Sequence, residues 1–268
     1  MSGNTKLIVE LRERTGAGIM SCKKALVEAD WDLEKAYDAI RAKFGKSAES
    51  KANRSATEGK IGIQSDAHRI AIVGVNCETD FVANGDDFQA FVNKVVSAVF
   101  SEGVSDLEAL KAISLGDETV EAARVELVGR VGENIQLSSV YFHQSDDQFV
   151  SVYSHGDKVA CAVLLDVDNA ELGKDIGMHV VAMSPLAVSG ADVPQEIVER
   201  EKAIFVTQAQ EMSKPELVEK IVAGKVAKFL KEKCLLDQAF VKDTTMTINE
   251  YLAKSNARVL GFKRVELS

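Results

Sequence analysis

Apolar residues recur along the chain at two spacings, which distinguish helical segments from strands. A period near 3.6 residues predicts helices, whereas alternation or a short apolar run between turn residues predicts strands. On this basis we predict three short helices within residues 5–44, with Asp32 capping the third and Gly45 closing it. The same period predicts further helices at residues 86–101, 105–113, 117–130, 172–183, 194–212, 216–233 and 247–254.

The strand patterns begin after the first helices. Alternation at Ile61 and Ile63, followed by an apolar run from Ile70, predicts a hairpin. Short connections between the next strands predict an antiparallel meander, and a last strand at 258–265 is expected to return to the sheet. The mixture of elements predicts an α+β fold. The strands of the predicted meander are Ile135–His143, Phe149–Ser154 and Val159–Val167.

Composition shifts along the chain predict its domain organisation. Residues 47–59 are small, polar and charged, which is typical of a linker with no core to fill. The helices within 194–233, joined at Lys214-Pro215, predict an antiparallel hairpin and a candidate dimerisation arm. The predicted segments are a three-helix module (1–46), the linker (47–59), a first core half (60–142), a second core half (143–184), the hairpin insert (185–234) and a return to the second half (235–268).

A strand-then-helix unit occurs twice in the predicted core, and the first copy is longer. Val75 and Phe88 are 13 positions apart, whereas their counterparts Leu164 and Leu172 are 8 apart. The five surplus residues of the first copy contain Thr79–Ala83. If the second copy folds without them, the surplus loop is a candidate for function, because binding residues concentrate on loops.

Two apolar positions outside the regular elements allow alternative interpretations. Phe81 either tucks under the following helix as core, with Thr79 or Asp80 as its N-cap, or points outward for a partner. Ile19 and Met20 follow a glycine-rich turn directly and are either core or an exposed contact patch. Both questions stay open at the level of sequence.

Composition narrows the function classes. The chain has 268 residues and a net charge of −9, which argues against nonspecific nucleic-acid binding because that requires a basic surface. Its four cysteines are far apart and lack metal-ligand or disulfide spacing, as is typical of reduced cytosolic thiols. Without a signal-peptide pattern or a long apolar run, we expect a cytoplasmic protein with no membrane segment.

The chain offers little for catalysis. Nucleotide-binding glycine loops, zinc-binding histidine pairs and a serine nucleophile elbow do not occur in the sequence. Cys77 with a remote histidine is the one candidate nucleophile pair, although cysteines beside strands are more often buried and inert. We therefore expect no catalytic residues, metal or cofactor, and a binding protein rather than an enzyme. A general adaptor built on the N-terminal helices is the alternative to a dedicated factor.

Two long stretches of the sequence are distinctive, Leu11–Leu26 and Val75–Ala83. They resemble the signatures of bacterial translation elongation factor Ts, and similarity to this family extends over the whole chain in order. Because the chain ends soon after Arg264-Val265, we expect the additional C-terminal helix of some members to be absent. The stretches that carry the resemblance are Leu11–Leu26, Val75–Ala83, Gly132-Glu133-Asn134-Ile135, Met178–Ala182 and Gly261-Phe262.

The resemblance implies a guanine-nucleotide exchange factor for elongation factor Tu, the GTPase that delivers aminoacyl-tRNA. It also implies a ubiquitin-associated-like N-terminal module, a duplicated α/β core with antiparallel sheets and an inserted helical hairpin. Three groups of partner-binding residues follow from matching motif positions. They are Thr79, Asp80, Phe81 and Val82 near the partner's magnesium site; Arg12, Ile19 and Met20 on its nucleotide-binding domain; and His155 with Gly156 on a more distant domain.

Overall fold

The computed structural model describes residues 3–212 and 215–267, which form a mixed α+β fold. The predicted turn at Lys214-Pro215 lies partly outside the described residues. The helices are α1 (Gly3–Thr15), α2 (Ile19–Glu28), α3 (Leu33–Lys51), α4 (Asp80–Ala83), α5 (Asp86–Glu102), α6 (Leu107–Ala112), α7 (Val120–Val131), α8 (Ala170–Met183), α9 (Gln195–Met212), α10 (Pro215–Lys233) and α11 (Ile248–Lys254). The strands are β1 (Glu58–Ser65), β2 (Arg69–Cys77), β3 (Gln136–Gln144), β4 (Phe149–His155), β5 (Val159–Leu165), β6 (Ala239–Phe240), β7 (Asp243–Thr247) and β8 (Val259–Glu266).

The chain divides into two compact units. The first contains the residues up to Ser65, then Arg69–Gln144 and the residues from Val265 onward. The second contains Asp66–His68 and Ser145–Arg264. The predicted boundary between core halves, after residue 142, lies close to this division. The finer division into six segments stays a prediction.

The first three helices form as predicted, except at the end of α3. The Asp32 carboxylate caps α3 by accepting the N–H groups of Glu34 and Lys35, both at 3.1 Å. The predicted end at Gly45 is wrong, because α3 continues to Lys51. Phe44 and Ala48 explain the extension, since they lie one turn apart and are both buried. The expectation that residues 47–59 contribute nothing to a core is therefore corrected at Ala48.

The first sheet has the order β1-β2-β3. The predicted hairpin is confirmed by the antiparallel register of β1 and β2, from Glu58 opposite Cys77 to Ser65 opposite Ile70. From Ile70 to Cys77 every residue of β2 is buried, as expected for a central strand covered on both faces. Its second edge pairs with β3, whereas β4 and β5 belong to another sheet, so the predicted continuous meander of β3, β4 and β5 is wrong. A central strand needs partners on both edges, and β3 supplies the second one.

The second unit has its own sheet, in the order β4-β5-β8. β4 and β5 form an antiparallel hairpin, and β8 lies beside β5, as predicted for the last strand. Helix α8 packs on β4 and β5, just as α5 packs on β1 and β2 in the first unit. Each unit therefore contains a hairpin, a covering helix and a later strand beside the second hairpin strand. In the first unit, helix α4 lies between the hairpin and the covering helix. In the second unit, the described residues between β5 and α8 form no helix.

The predicted helical hairpin is formed by α9 and α10 within the second unit. Phe205 faces Phe229 at 6.4 Å between ring centroids, and the Lys225 amine donates to the Gln208 side chain at 2.7 Å. From the first pair to the second, the residue number rises in α9 and falls in α10, so the helices are antiparallel. The ends of the insert also meet, because Leu186 N–H donates to Lys233 O (2.8 Å) and Leu235 N–H donates to Ala187 O (2.9 Å).

A buried histidine joins α8 to the segment after α10. His179 Nδ1 accepts the N–H of Val241 at 3.2 Å, while its Nε2 lies 2.9 Å from the Gln238 side-chain oxygen. These partners require a neutral imidazole protonated at Nε2. Burial lowers the pKa of His179 because desolvation penalises the imidazolium, and the hydrogen bond to Gln238 opposes this effect.

We predict that acid destabilises the second unit through His179. An unfolded histidine titrates near pH ~6.5, so the unfolded state binds more protons than the folded state as the pH falls below that value. The free energy of unfolding should therefore decline between pH ~7 and ~5.5, by at most about 1.4 kcal/mol per pH unit from this residue. Urea titrations at several pH values would measure it. His179→Gln should flatten the slope and the exposed control His155→Gln should not; equal slopes in all three chains would contradict the assignment.

We also predict opposite effects for two glycine substitutions in helices. A Cβ at Gly129 in α7 would lie 2.0 Å from Cδ1 of the Phe44 ring, so Gly129→Ala should destabilise the first unit by about 1–3 kcal/mol. A Cβ at Gly224 in α10 would meet no atom within 4 Å, so Gly224→Ala should stabilise its helix by roughly 0.5–1 kcal/mol. Denaturant unfolding followed by circular dichroism would measure both. A Gly129→Ala chain as stable as the wild type would contradict the close packing of α3 on α7.

Candidate functional site

The loop between β2 and α5 forms one turn of helix, α4, and presents an aromatic side chain. Thr79 is the N-cap of α4, and its hydroxyl accepts the N–H of Val82 at 3.4 Å. Ala83 is buried and Val82 packs partly against the core of the first unit. Phe81 points the other way and is 86% exposed. Phe81 is therefore not a core residue, and its outward direction is confirmed; its role in binding a partner stays a prediction.

The neighbouring groups on this loop are polar and accessible. Asp80 is exposed in the first turn of α4, and its carbonyl accepts the side-chain N–H of Asn84 at 2.9 Å. The Thr79–Val82 loop therefore places an aromatic ring and a carboxylate side by side at the surface.

The carboxylate of Glu133 holds the start of this loop. It accepts the backbone N–H groups of Glu78 (3.1 Å) and Thr79 (3.0 Å) through Oε2, and the Thr79 hydroxyl (2.7 Å) through Oε1. In return, the Glu78 carboxylate accepts the N–H of Asn134 at 2.7 Å. The loop and the segment after α7 therefore hold each other through two carboxylates.

The predicted N-terminal contact residues also lie at the surface. Ile19 and Met20 occupy the first turn of α2 and are 54% and 75% exposed, so they are not core residues. Their role as a contact patch stays a prediction. Arg12 is exposed near the end of α1. We call Arg12, Ile19 and Met20 the N-terminal patch.

Arg130 contacts both the turn between α1 and α2 and the helix after the Thr79–Val82 loop. Gly16, at φ +65°, leaves room for the Arg130 side chain, since a Cβ there would lie 2.3 Å from Arg130 Cδ. Arg130 Nη2 lies 3.6 Å from a carboxylate oxygen of Asp87 in the first turn of α5. With Phe44 packed on Gly129, α7 thus contacts α3, the turn between α1 and α2, and the start of the helix that follows the Thr79–Val82 loop.

His155 and Gly156 lie at the tip of the β4–β5 hairpin in the second unit. Both residues are exposed, and Gly156 has φ +61°, which suits a glycine in a tight turn. Their role as a third contact stays a prediction.

Sequence reasoning did not identify Glu133 or Arg130 as parts of the site. Glu133 lies in the stretch Gly132-Glu133-Asn134-Ile135, which carried part of the family resemblance, so that match was the available signal. Arg130 had no such signal, because its importance depends on packing against the distant Gly16.

Within residues 3–212 and 215–267, acidic, cysteine and histidine side chains form no group of three or more able to hold a metal ion. In the same ranges, none of the helices combines the length and apolar character needed to cross a bilayer.

Phe81 on its braced loop and Ile19 with Met20 at the start of α2 are exposed apolar side chains of an α+β fold, and exposed apolar patches mark surfaces that bind other proteins. The family model described as Elongation factor TS matches residues 78–268. Elongation factor Ts of Hydrogenovibrio crunogenus is 41% identical, with all of this chain and 92% of the relative aligned. The relatives from Alkalilimnicola ehrlichii (43%; all of this chain, 92% of the relative) and Alcanivorax borkumensis (44%; 97% and 92%) bear the same name. The chain belongs to the elongation factor Ts family, which confirms the resemblance of its signatures.

We predict that the thiols do not react in the folded chain. All four cysteines are free and buried. Desolvation raises the pKa of Cys77 to about 11 and that of Cys161 to about 12, so the reactive thiolate is scarce at neutral pH. An aromatic disulfide reagent at pH 7.5 should release almost no chromophore until denaturant is added. Rapid labelling of Cys77 in the folded chain, located by peptide mass mapping, would contradict this prediction and support Cys77 as a candidate nucleophile.

Proposed function

We propose that the chain promotes GDP release from elongation factor Tu and thereby allows GTP loading during translation elongation. The family membership supports the exchange function, and the outward position of Phe81 on a braced loop is the observation that carries the mechanism. In this proposal the Thr79–Val82 loop enters the partner near its magnesium and phosphate site. The N-terminal patch contacts the nucleotide-binding domain, and His155 with Gly156 contacts a more distant domain.

The mechanism requires that the factor prefer the nucleotide-free partner. A GTPase holds its nucleotide through Mg²⁺ and backbone amides around the phosphates. A binding protein weakens that hold only if it binds the empty state more tightly than the loaded state. The coupling is reciprocal, so an incoming nucleotide expels the factor to the same degree. No covalent bond changes in this cycle, and we propose a non-enzymatic role without a cofactor.

Magnitudes indicate that Phe81 does not act alone. Burying one phenylalanine side chain contributes about 1.5–3 kcal/mol. Since each ~1.4 kcal/mol changes an equilibrium tenfold, one ring accounts for roughly one to two orders of magnitude. Asp80 adds a negative charge beside the ring, where it would disturb the balance around a metal ion and its ligands. The N-terminal patch and the β4–β5 turn would supply further binding energy.

The remaining parts of the proposal concern location and assembly. The acidic net charge of −9 supports action on a protein partner rather than on nucleic acid. The proposed setting is the cytoplasm, where translation takes place. The 194–233 hairpin is the proposed element for a homodimer.

The test of the proposal is the release of a fluorescent GDP analogue from purified elongation factor Tu, followed by stopped flow. The wild-type chain should accelerate release in a concentration-dependent manner. Phe81→Ala should reduce the acceleration by about 10- to 100-fold, because it removes the apolar group inserted into the partner. Leu260→Ala is a matched control, since Leu260 is a partly exposed aliphatic residue on β8 in the second unit.

The outcomes separate the candidate functions. Equal acceleration by the wild type and Phe81→Ala would contradict the role of the loop while leaving exchange intact. Absence of acceleration, with a stable complex still seen by gel filtration, would favour the adaptor interpretation. Equal losses in Phe81→Ala and Leu260→Ala would point to a general defect rather than to this loop.

A further inference from the structure

We propose that Glu133 is a positioning residue for nucleotide exchange, which fixes the Thr79–Val82 loop in the conformation that presents Phe81. The inference deepens the proposed function and rests on it for its kinetic consequences. Its structural part, the bracing of the loop, can be tested without a partner. Glu133 itself lies beneath the loop rather than at its exposed tip.

The geometry shows why the loop needs an external brace. Helix α4 has four residues, and so short a helix has few internal hydrogen bonds to hold its conformation. The Glu133 carboxylate binds both backbone N–H groups that lead into the helix, those of Glu78 and Thr79, at 3.1 and 3.0 Å. Its other oxygen accepts from the hydroxyl of Thr79, the N-cap, at 2.7 Å. A single side chain therefore sets the direction in which the helix starts.

The brace is itself anchored on both sides. Asn134 donates its backbone N–H to the Glu78 carboxylate at 2.7 Å, and its side-chain amide donates to the carbonyls of Ala52 (3.3 Å) and Arg54 (2.8 Å). The segment after α7 is thereby attached both to the loop and to the chain that follows α3. This arrangement leaves Glu133 little freedom to follow a moving loop.

The functional consequence is pre-organisation. A flexible loop would lose conformational freedom when Phe81 enters the partner, and that loss would subtract from the binding energy. An exposed aromatic ring on a flexible loop would also fold back onto apolar surface of its own chain. Glu133 prevents both effects because it orders the loop before the partner arrives.

The experiment is a double-mutant cycle on stimulated GDP release from elongation factor Tu. Glu133→Ala should slow release by about tenfold at limiting factor, which corresponds to ~1.4 kcal/mol. Glu133→Gln should recover most of the rate, because an amide oxygen still accepts from the backbone while the amide N–H₂ faces the Thr79 hydroxyl. In a Phe81→Ala background, Glu133→Ala should cost less than about twofold, since the ring to be positioned is gone. Glu108→Ala is a matched control, because it removes a carboxylate that pairs with Lys111 within helix α6.

Several results would overturn the inference. One is a wild-type rate for Glu133→Ala; another is the same tenfold loss in both backgrounds, which would indicate general damage. A second readout, amide hydrogen exchange by NMR, should show faster exchange at Glu78 and Thr79 in Glu133→Ala with unchanged protection in β2. If the wild-type chain fails to accelerate release, the proposed function fails, and unchanged protection of these two amides would overturn the bracing as well.

Discussion

The hydrogen bonds of one carboxylate are the constraint on which the exposed loop depends. Glu133 replaces water at the backbone of Glu78 and Thr79, so the first turn of α4 forms where the sheet ends. Gly129 and Arg130, a few residues before Glu133, contact the N-terminal helices. Phe44 packs on Gly129, and the Arg130 side chain lies against Gly16. Residues 129–134 therefore contact both the Thr79–Val82 loop and the turn between α1 and α2, beside the N-terminal patch. A substitution within residues 129–134 would therefore alter both surfaces, although neither Phe81 nor Met20 belongs to this segment.

This arrangement resolves a conflict between solubility and binding. An aromatic ring that is 86% exposed loses the stabilisation that burial would provide, and water favours any conformation that covers it. Proteins usually meet that problem by burying the ring, which is the common role of a phenylalanine. Here the loop is held from beneath by polar groups, while Val82 and Ala83 face inward and satisfy the core. The ring is thus exposed on a loop that Val82 and Ala83 attach to the core.

Much of this organisation could be predicted from the sequence, and the failures have physical causes. Period and turn residues located the hairpins and helices, and the comparison of two strand-then-helix units identified the surplus loop around Phe81. The end of α3 was missed because a glycine without positive φ is tolerated inside a helix when Phe44 and Ala48 pack on either side. The sheet order was missed because short connections favour pairing in sequence order, whereas β2 required β3 at its second edge. Glu133 and Arg130 were beyond reach of pattern alone, since their partners are distant in sequence.

The helical hairpin is an insert whose two ends lie beside each other in the second unit. The chain enters it beside Leu186 and leaves it beside Lys233, and backbone hydrogen bonds close the gap between entrance and exit. The three strands of the β4-β5-β8 sheet all lie outside the segment between those two points. In evolutionary terms, the core fold can therefore accept an insertion, a deletion or a change in the length of the hairpin by whole helical turns in a single genetic event. Descendants of one ancestral core can therefore differ widely in this arm while keeping the same sheet.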